Sequence, residues 1–288
     1  MTEPSTASAW TPSPREQERQ ALRGRLRRRS VTIASVATAL VLGGLAAGLL
    51  TSPGWPAVQT TFFSLEDARG ALPSITKGFV LNVQLFLLAE PLILVVALAL
   101  ALARQARAPW LTPIRLLAVA YIDFFRGVPT ILLVVLFAFG MPALELQGVP
   151  NSLFFWALMA LVVSYSAYVA EVFRAGIESI HPSQLASADA LGLSRAQAMR
   201  HVVVPQAVRR VVPPLLNDFI SLTKDTALVS SVALFDSLFS ARDYAAFNFN
   251  YTPLVVVAVF FVVLTVPLAR LTDALQRRAM RRERAGAL

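Results

Sequence analysis

The stretch 182-PSQLASADALGLSRAQAMRHVVVPQ-206 is polar and basic, yet it interrupts a chain made mostly of long apolar runs. Pro182 suits the first turn of a helix, where its missing N–H costs nothing. Residues 183–191 are good helix formers, and Gly192 stands where a left-handed C-terminal cap is expected. Ser194 then opens a second helix with Gln197 three residues on, the pattern of a reciprocal capping box. Pro205 is expected to end that helix near Val204. The reading is helix, glycine turn, helix. Leu185, Ala188, Leu191, Met199 and Val202 form an apolar side too small to make a domain core, so the hairpin needs a surface to bury against. Three readings stand: an amphipathic loop lying on the protein's own spans or on lipid, a nucleic-acid-reading helix-turn-helix, and a short helix that docks in the groove of a soluble partner. The second lacks a third helix and would be tethered in the membrane at both ends.

Outward from this loop the chain reads as an all-α polytopic membrane protein. Its 288 residues are 56% hydrophobic and 15% charged, and the apolar residues come in runs of about 17–25, the length a helix needs to cross a bilayer. Six spans are expected. The first is 31-VTIASVATALVLGGLAAGLL-50, preceded by a basic tail over 1–29 that is expected to be disordered. An external loop over 51–76 leads to a second span from Lys77 to Ala103. The segment 116–142 is too long and too polar in its first half for one plain span, so it is expected to start as a tilted helix and cross after a break at 127–129. Further spans are expected at 152–173, 213–235 and 253–271, the last followed by a basic tail.

The charge distribution tests this topology. With the N-terminus inside, 21 of the 26 Lys and Arg fall on one side, as the positive-inside rule requires. The formal charge of +9 is thus a topology signal with affinity for anionic lipid headgroups, not a pointer to nucleic acid. There are no cysteines, and the two histidines, His181 and His201, lie 20 residues apart. No metal or cofactor is expected, and no G-x(4)-G-K-[ST] phosphate loop occurs, so the chain carries no ATPase motif of its own.

The string from Gly192 through Val202 and Val204 to Pro205 resembles the coupling-loop motif of ABC importer membrane subunits, in which Glu-Ala-Ala and a Gly precede Ile-x-Leu-Pro. The stretches 121-YIDFFRGVP-129, 167-AYVAEVFRAGIESI-180 and 205-PQAVRRVVPPLLNDFISLTKDTALVSS-231 are similar to the polar amino-acid permeases of histidine/glutamine importer type, within a similarity that runs from about 76 to 278. Three departures stand out. The Glu-Ala-Ala is replaced by 186-ASA-188, with Asp189 where a basic residue is usual. A polar Gln common after Arg-Gly-x-Pro is missing from 130-TILLVV-135. The first span and its tail lie outside the five-helix core.

The resemblance implies a type I permease core of five spans with one extra N-terminal span at 30–51, a permease domain over 76–275 with a coupling loop at 176–211, and a basic tail at 276–288. It implies a permease subunit of an ATP-driven importer for polar amino acids in the cell membrane, both termini cytoplasmic. A cytoplasmic ABC ATPase dimer, an extracytoplasmic substrate-binding protein and a second permease subunit are the implied partners. Leu185, Ala186, Ala188, Gly192, Ser194, Gln197 and Pro205 are its candidate ATPase-coupling residues.

Charged groups inside spans are costly and usually face a cavity or a partner. Asn217, Ser221 and Lys224 recur on one helix face, with Asp218 and Asp225 on a neighbouring line. They read either as a polar stripe along a substrate path or as local ion pairs, for instance Lys224 with Asp225 or Glu90. Glu90 is the most isolated charge. It can meet a substrate ammonium, or satisfy a helix broken by Pro91. Glu171 with Arg174, and Asp123 with Arg126, read as local pairs or gate contacts. The alternatives are a permease for another small polar solute, or a self-sufficient channel or secondary transporter. The latter often shows an internal repeat, and none is found.

Overall fold

The computed structural model describes residues 13–106, 108–145 and 147–285, with the side chains of 195 and 278–285 excepted; among them there are helices and no strand. The chain divides into two compact units, Met1–Gln59 and Thr60–Leu288.

The first unit is built on one helix, α1 (Pro14–Leu50), with no buried residue. It starts earlier than the expected span. The Ser13 hydroxyl accepts the Glu16 N–H at 3.3 Å, Pro14 occupies the first turn, and the Gln, Glu, Arg, Ala and Leu that follow are strong helix formers. The tail expected to be disordered over 1–29 is therefore helical from residue 14; residues 1–12 lie outside the described ones. A short helix, α2 (Trp55–Phe62), crosses the division between the units.

In the second unit α3 (Leu65–Arg104) begins twelve residues before the expected span. Ser64 caps it by accepting the Asp67 N–H at 3.2 Å, and Glu66 and Asp67 suit its first turn. The helix runs on through Pro73 and Pro91, so Glu90 does not sit at a break. Then α4 (Thr112–Gly127) and α5 (Thr130–Val135) are separated at extended Val128 and Pro129. A π turn (Leu136–Gly140) and α6 (Met141–Ala143) follow. The two arms meet at 103°, as the break predicted.

The buried centre is α7 (Leu153–Glu178), whose Ala157, Ala160, Leu161, Ala167 and Ala170 are inaccessible. Small residues let neighbouring backbones approach closely, which in lipid is the main source of helix packing energy. Leu85, Ile93, Ile122, Val134 and Leu222 close over it from four other helices in one core. Next come α8 (Pro182–Ala190), α9 (Arg195–Ala198), a π turn (Met199–Val203) and α10 (Val204–Asp225).

Here two expectations fail. Pro205 does not end the helix, because the chain stays helical from Arg195 to Asp225. The π turn widens the helix at His201, the residue whose carbonyl a proline ring four positions on would strike. The span expected at 213–235 is instead α10 ending at Asp225 and a 3₁₀ stretch, Thr226–Val232. Among the described residues four helices are long and apolar enough to cross a membrane, or five with the bent pair, and α10 falls short of that apolarity. Its polar stripe lowers its apolarity.

After left-handed Ala233 comes α11 (Ser237–Asn248), which the sequence reading did not foresee, and α12 (Thr252–Ala285). The junction of α11 with α3 is a buried polar lock. Asn82 donates to the Asp236 carboxylate at 3.1 Å, and its carbonyl oxygen accepts the Ser237 N–H at 3.1 Å and the Ser237 hydroxyl at 2.7 Å. The other Asp236 oxygen caps α11 by accepting the Phe239 N–H at 2.8 Å. Gly78 makes this approach possible, since a Cβ there would lie 2.4 Å from the Asp236 carbonyl carbon. Ala71, Ile75, Ala241 and Val257 form a second small core beside the lock.

Candidate functional site

Two features carry the chemistry, and α10 joins them. The first is a polar cluster where α10 faces α3 and α7. The Tyr165 hydroxyl of α7 donates to the Asp225 carboxylate at 2.7 Å. Glu90 of α3 and Asp218 of α10 are both half-buried. One Asp218 oxygen, Oδ2, is buried without a hydrogen-bond partner among the described residues. Edge-to-face packing of Phe86 on Phe219, with centroids 4.5 Å apart, fixes α10 against α3 beside these groups. Asn217 and Lys224 are exposed and Ser221 is half-buried on the adjoining face.

Lys224 forms no ion pair with Asp225 or Glu90 among the described residues; Asp225 takes the Tyr165 hydroxyl instead. Of the two readings of this stripe, local ion pairing of Lys224 is not what the structure forms. Carboxylates from two helices, with one oxygen unsatisfied, make a place where a cationic group would be favoured. Tyr165 was missed because nothing in the apolar α7 run marks which face of the helix meets α10.

The pair of Asp123 with Arg126 is also absent. Asp123 is exposed, and the Arg126 guanidinium lies over the Tyr168 ring, 6.0 Å from its centroid, where its positive charge meets the negative face of the ring. The Tyr168 hydroxyl donates to the Arg126 carbonyl at 3.1 Å. Glu171 and Arg174 do pair: Arg174 Nε donates at 2.9 Å. Arg104, at the end of α3, reaches the other Glu171 oxygen at 3.0 Å, and Arg174 also pairs with Glu178. These groups tie the end of α3 to the end of α7.

The second feature is the hairpin. His181 caps α8, its Nδ1 accepting the Ser183 N–H at 3.2 Å, a role the sequence reading did not assign. Gly192 has φ +74°, with the Gly192 N–H donating to Asp189 and the Leu193 N–H to Ala188 at 2.9 and 3.1 Å, the double bond of a Schellman cap. The capping box is formed both ways: the Ser194 N–H donates to Gln197 Oε1 at 2.8 Å, and the Gln197 N–H to the Ser194 hydroxyl at 3.4 Å. Ala188, Ala198 and Val203 are buried. Leu185, Ala186, Ser194, Gln197 and Pro205 are exposed, and Leu191 at the tip is 79% exposed, so it does not join the inner apolar side. A cleft of about 860 Å³, lined in part by Arg115, Glu178, Leu185, Asp189 and Met199, separates the hairpin from the ends of α3 and α7.

The family model described as "binding-protein-dependent transport system inner membrane component" matches residues 95–281. The chain is 35% identical over 169 residues to the probable glutamine ABC transporter permease protein GlnM of Bacillus subtilis (strain 168), covering 58% of this chain and 76% of that one. It is 30% identical over 208 residues to the arginine transport system permease protein ArtQ of the same organism, covering 72% and 93%. Among solved structures, the crystal structure of an amino acid ABC transporter with histidines matches with a TM-score of 0.66 at 31% identity, covering 72% of this chain and 94% of that one. The MetNI methionine ABC transporter, inward-facing, shares the fold at a TM-score of 0.58 and 18% identity.

Proposed function

This chain belongs to the family of binding-protein-dependent transport system inner membrane components, and from that premise we propose that it carries polar amino acids along the cluster of Glu90, Asn217, Asp218, Ser221, Lys224 and Asp225, driven through the 182–205 hairpin. The chain is the permease subunit of an ATP-driven importer and is not itself the enzyme, since hydrolysis belongs to a separate ATPase subunit. The family implies three kinds of partner: an ATPase, a substrate-binding protein and a second permease.

The finer assignments are ours. The hairpin docks on the ATPase dimer in the cytoplasm, and both chain ends lie on that side. The observation that carries this reading is continuity: the second arm of the hairpin and the helix bearing Asp218 and Asp225 are one helical run. A push on the second arm is thus delivered along this run to the polar cluster, and exposed Leu185 and Leu191 of the first arm and its tip offer the partner an apolar hold. Hydrophobic residues on a short capped helix are what a groove of a soluble partner recognises. Ala186 brings no charge to that contact, so the docking rests on apolar burial and on Ser194 and Gln197 holding the shape. Glu90, Asp218 and Asp225 suit the ammonium group of the cargo. Glu171, Arg174 and Arg104 hold α3 and α7 together beside the hairpin, as a gate contact.

The test is to purify the tagged chain from its membrane and identify what accompanies it, then to reconstitute it in liposomes. A copurifying ATPase and uptake that requires ATP are expected. Uptake by the lone chain, driven by an ion gradient, would overturn the reading.

A further inference from the structure

We propose that Arg25, Arg27, Arg28 and Arg29 of α1 form a collar that binds the phosphate groups of anionic phospholipids. The proposal rests only on α1 crossing the bilayer, so it can fail separately from the transport reading.

Charge along the first half of α1 is unevenly placed. Arg15 and Arg19 are balanced by Glu16 and Glu18, whereas residues 23–29 hold five arginines and no acidic residue. On a helix surface, positions three and four apart are neighbours. Arg25 precedes Arg28 and Arg29 by three and four residues, and Arg23 precedes Arg27 by four, so each collar residue has another cation beside it. Among the described residues none of the four forms an ion pair, and all are exposed. Such crowding is unfavourable by itself and is relieved when anions are supplied from outside.

The position of the collar says which anions. The helix is continuous from the arginines into the apolar run 31–50, which at 1.5 Å per residue spans about 30 Å, the thickness of the hydrocarbon core. With that run in the core, the four guanidiniums sit within about 10 Å of its edge, at the level of the lipid phosphates. At 3.6 residues per turn they point in different directions around the helix, so that lipids on several sides are reached. The guanidinium fork grips two phosphate oxygens at once, which a lysine cannot do. A free phosphate in solution has the same chemistry but no acyl chains to lie along the apolar run; the occupant is the lipid.

The full chain, delipidated in detergent, is titrated with phosphatidylglycerol or phosphatidylcholine, and bound lipids are counted by native mass spectrometry. Three variants are compared with it: R25Q/R27Q/R28Q/R29Q, the same four positions changed to Lys, and R15Q/R19Q as a control that leaves the collar intact. The wild type should bind phosphatidylglycerol in preference to phosphatidylcholine. Loss of each collar arginine should weaken this about fivefold, the four-Gln variant losing on the order of several hundredfold in all. The Lys variant should fall between the two, and the control should behave as wild type. The proposal is overturned if the four-Gln variant retains phosphatidylglycerol, if the control loses it equally, or if inorganic phosphate displaces it at the lipid's own concentration. All substituents are helix formers, and unchanged helicity by circular dichroism separates lost binding from lost structure.

Discussion

Where α11 docks on α3, three side chains and two backbone groups interlock out of contact with solvent, and Asn82, Asp236 and Ser237 are each at most 2% exposed. The hairpin over 182–203 is held differently. Its shape comes from its own caps, Ala188, Ala198 and Val203 are its buried side chains among the described ones, and a cleft stands between it and the ends of α3 and α7. One junction is fixed by tertiary contacts. The other is specified locally and left with an open surface. A junction of the first kind holds two helices as one body, and one of the second kind leaves a surface on which a partner can dock.

This contrast can be broken experimentally. The largest effect is expected at Gly78. A methyl group there meets backbone atoms of Asp236 and Ser237, which cannot yield as a side chain would, so Gly78→Ala should destabilise the folded protein by about 3 kcal/mol, seen as a lower thermal midpoint in lipid. Asn82→Leu comes next. It leaves the Asp236 carboxylate and the Ser237 N–H and hydroxyl short of a partner, at a cost of about 1–3 kcal/mol for a buried polar group left unsatisfied; Asn82→Asp, which restores the acceptor but adds a charge beside Asp236, should not rescue it. Ser194→Ala removes one capping bond on an exposed helix start and should cost about 1 kcal/mol, visible as faster hydrogen exchange over 194–198 with an unchanged global midpoint. If Ser194→Ala lowered the midpoint as much as Gly78→Ala, the two regions would not differ as described.

The local features of the hairpin could be read from the residues because they are local. Pro182, Gly192, Ser194 and Gln197 each act within four positions of the backbone groups they satisfy. The break at 127–129 was legible for the same reason. Pro205 misled, because a proline stops a regular α-helix but not one already widened by a π turn at Met199–Val203, and π turns leave no plain mark in sequence. The lock was invisible: Asn82 meets Asp236 across 154 positions, and an Asn in an apolar run says nothing of its partner. α11 was lost for a related reason, since its mixed composition reads as loop until Asp236 and Asn82 fix its start. In the polar cluster Glu90, Asn217, Ser221, Lys224 and Asp225 could be singled out as costly groups in apolar surroundings, but the partner of Asp225, Tyr165, could not. Asp123 and Arg126 show the limit of spacing arguments, because three residues apart on a helix permits a pair and Tyr168 offered the guanidinium a better place.

The account turns on the hairpin acting as a rigid arm of α10, and Gly192→Pro tests that directly. Gly192 adopts φ +74°, a conformation proline cannot reach, so the Schellman turn cannot form while the spans and the lock are untouched. The measurement is the rate of ATP-dependent uptake by the variant reconstituted with its ATPase and binding protein, alongside the rate of ATP hydrolysis in the same vesicles. The account predicts uptake at background level with a thermal midpoint close to wild type. Uptake at the normal rate would contradict it.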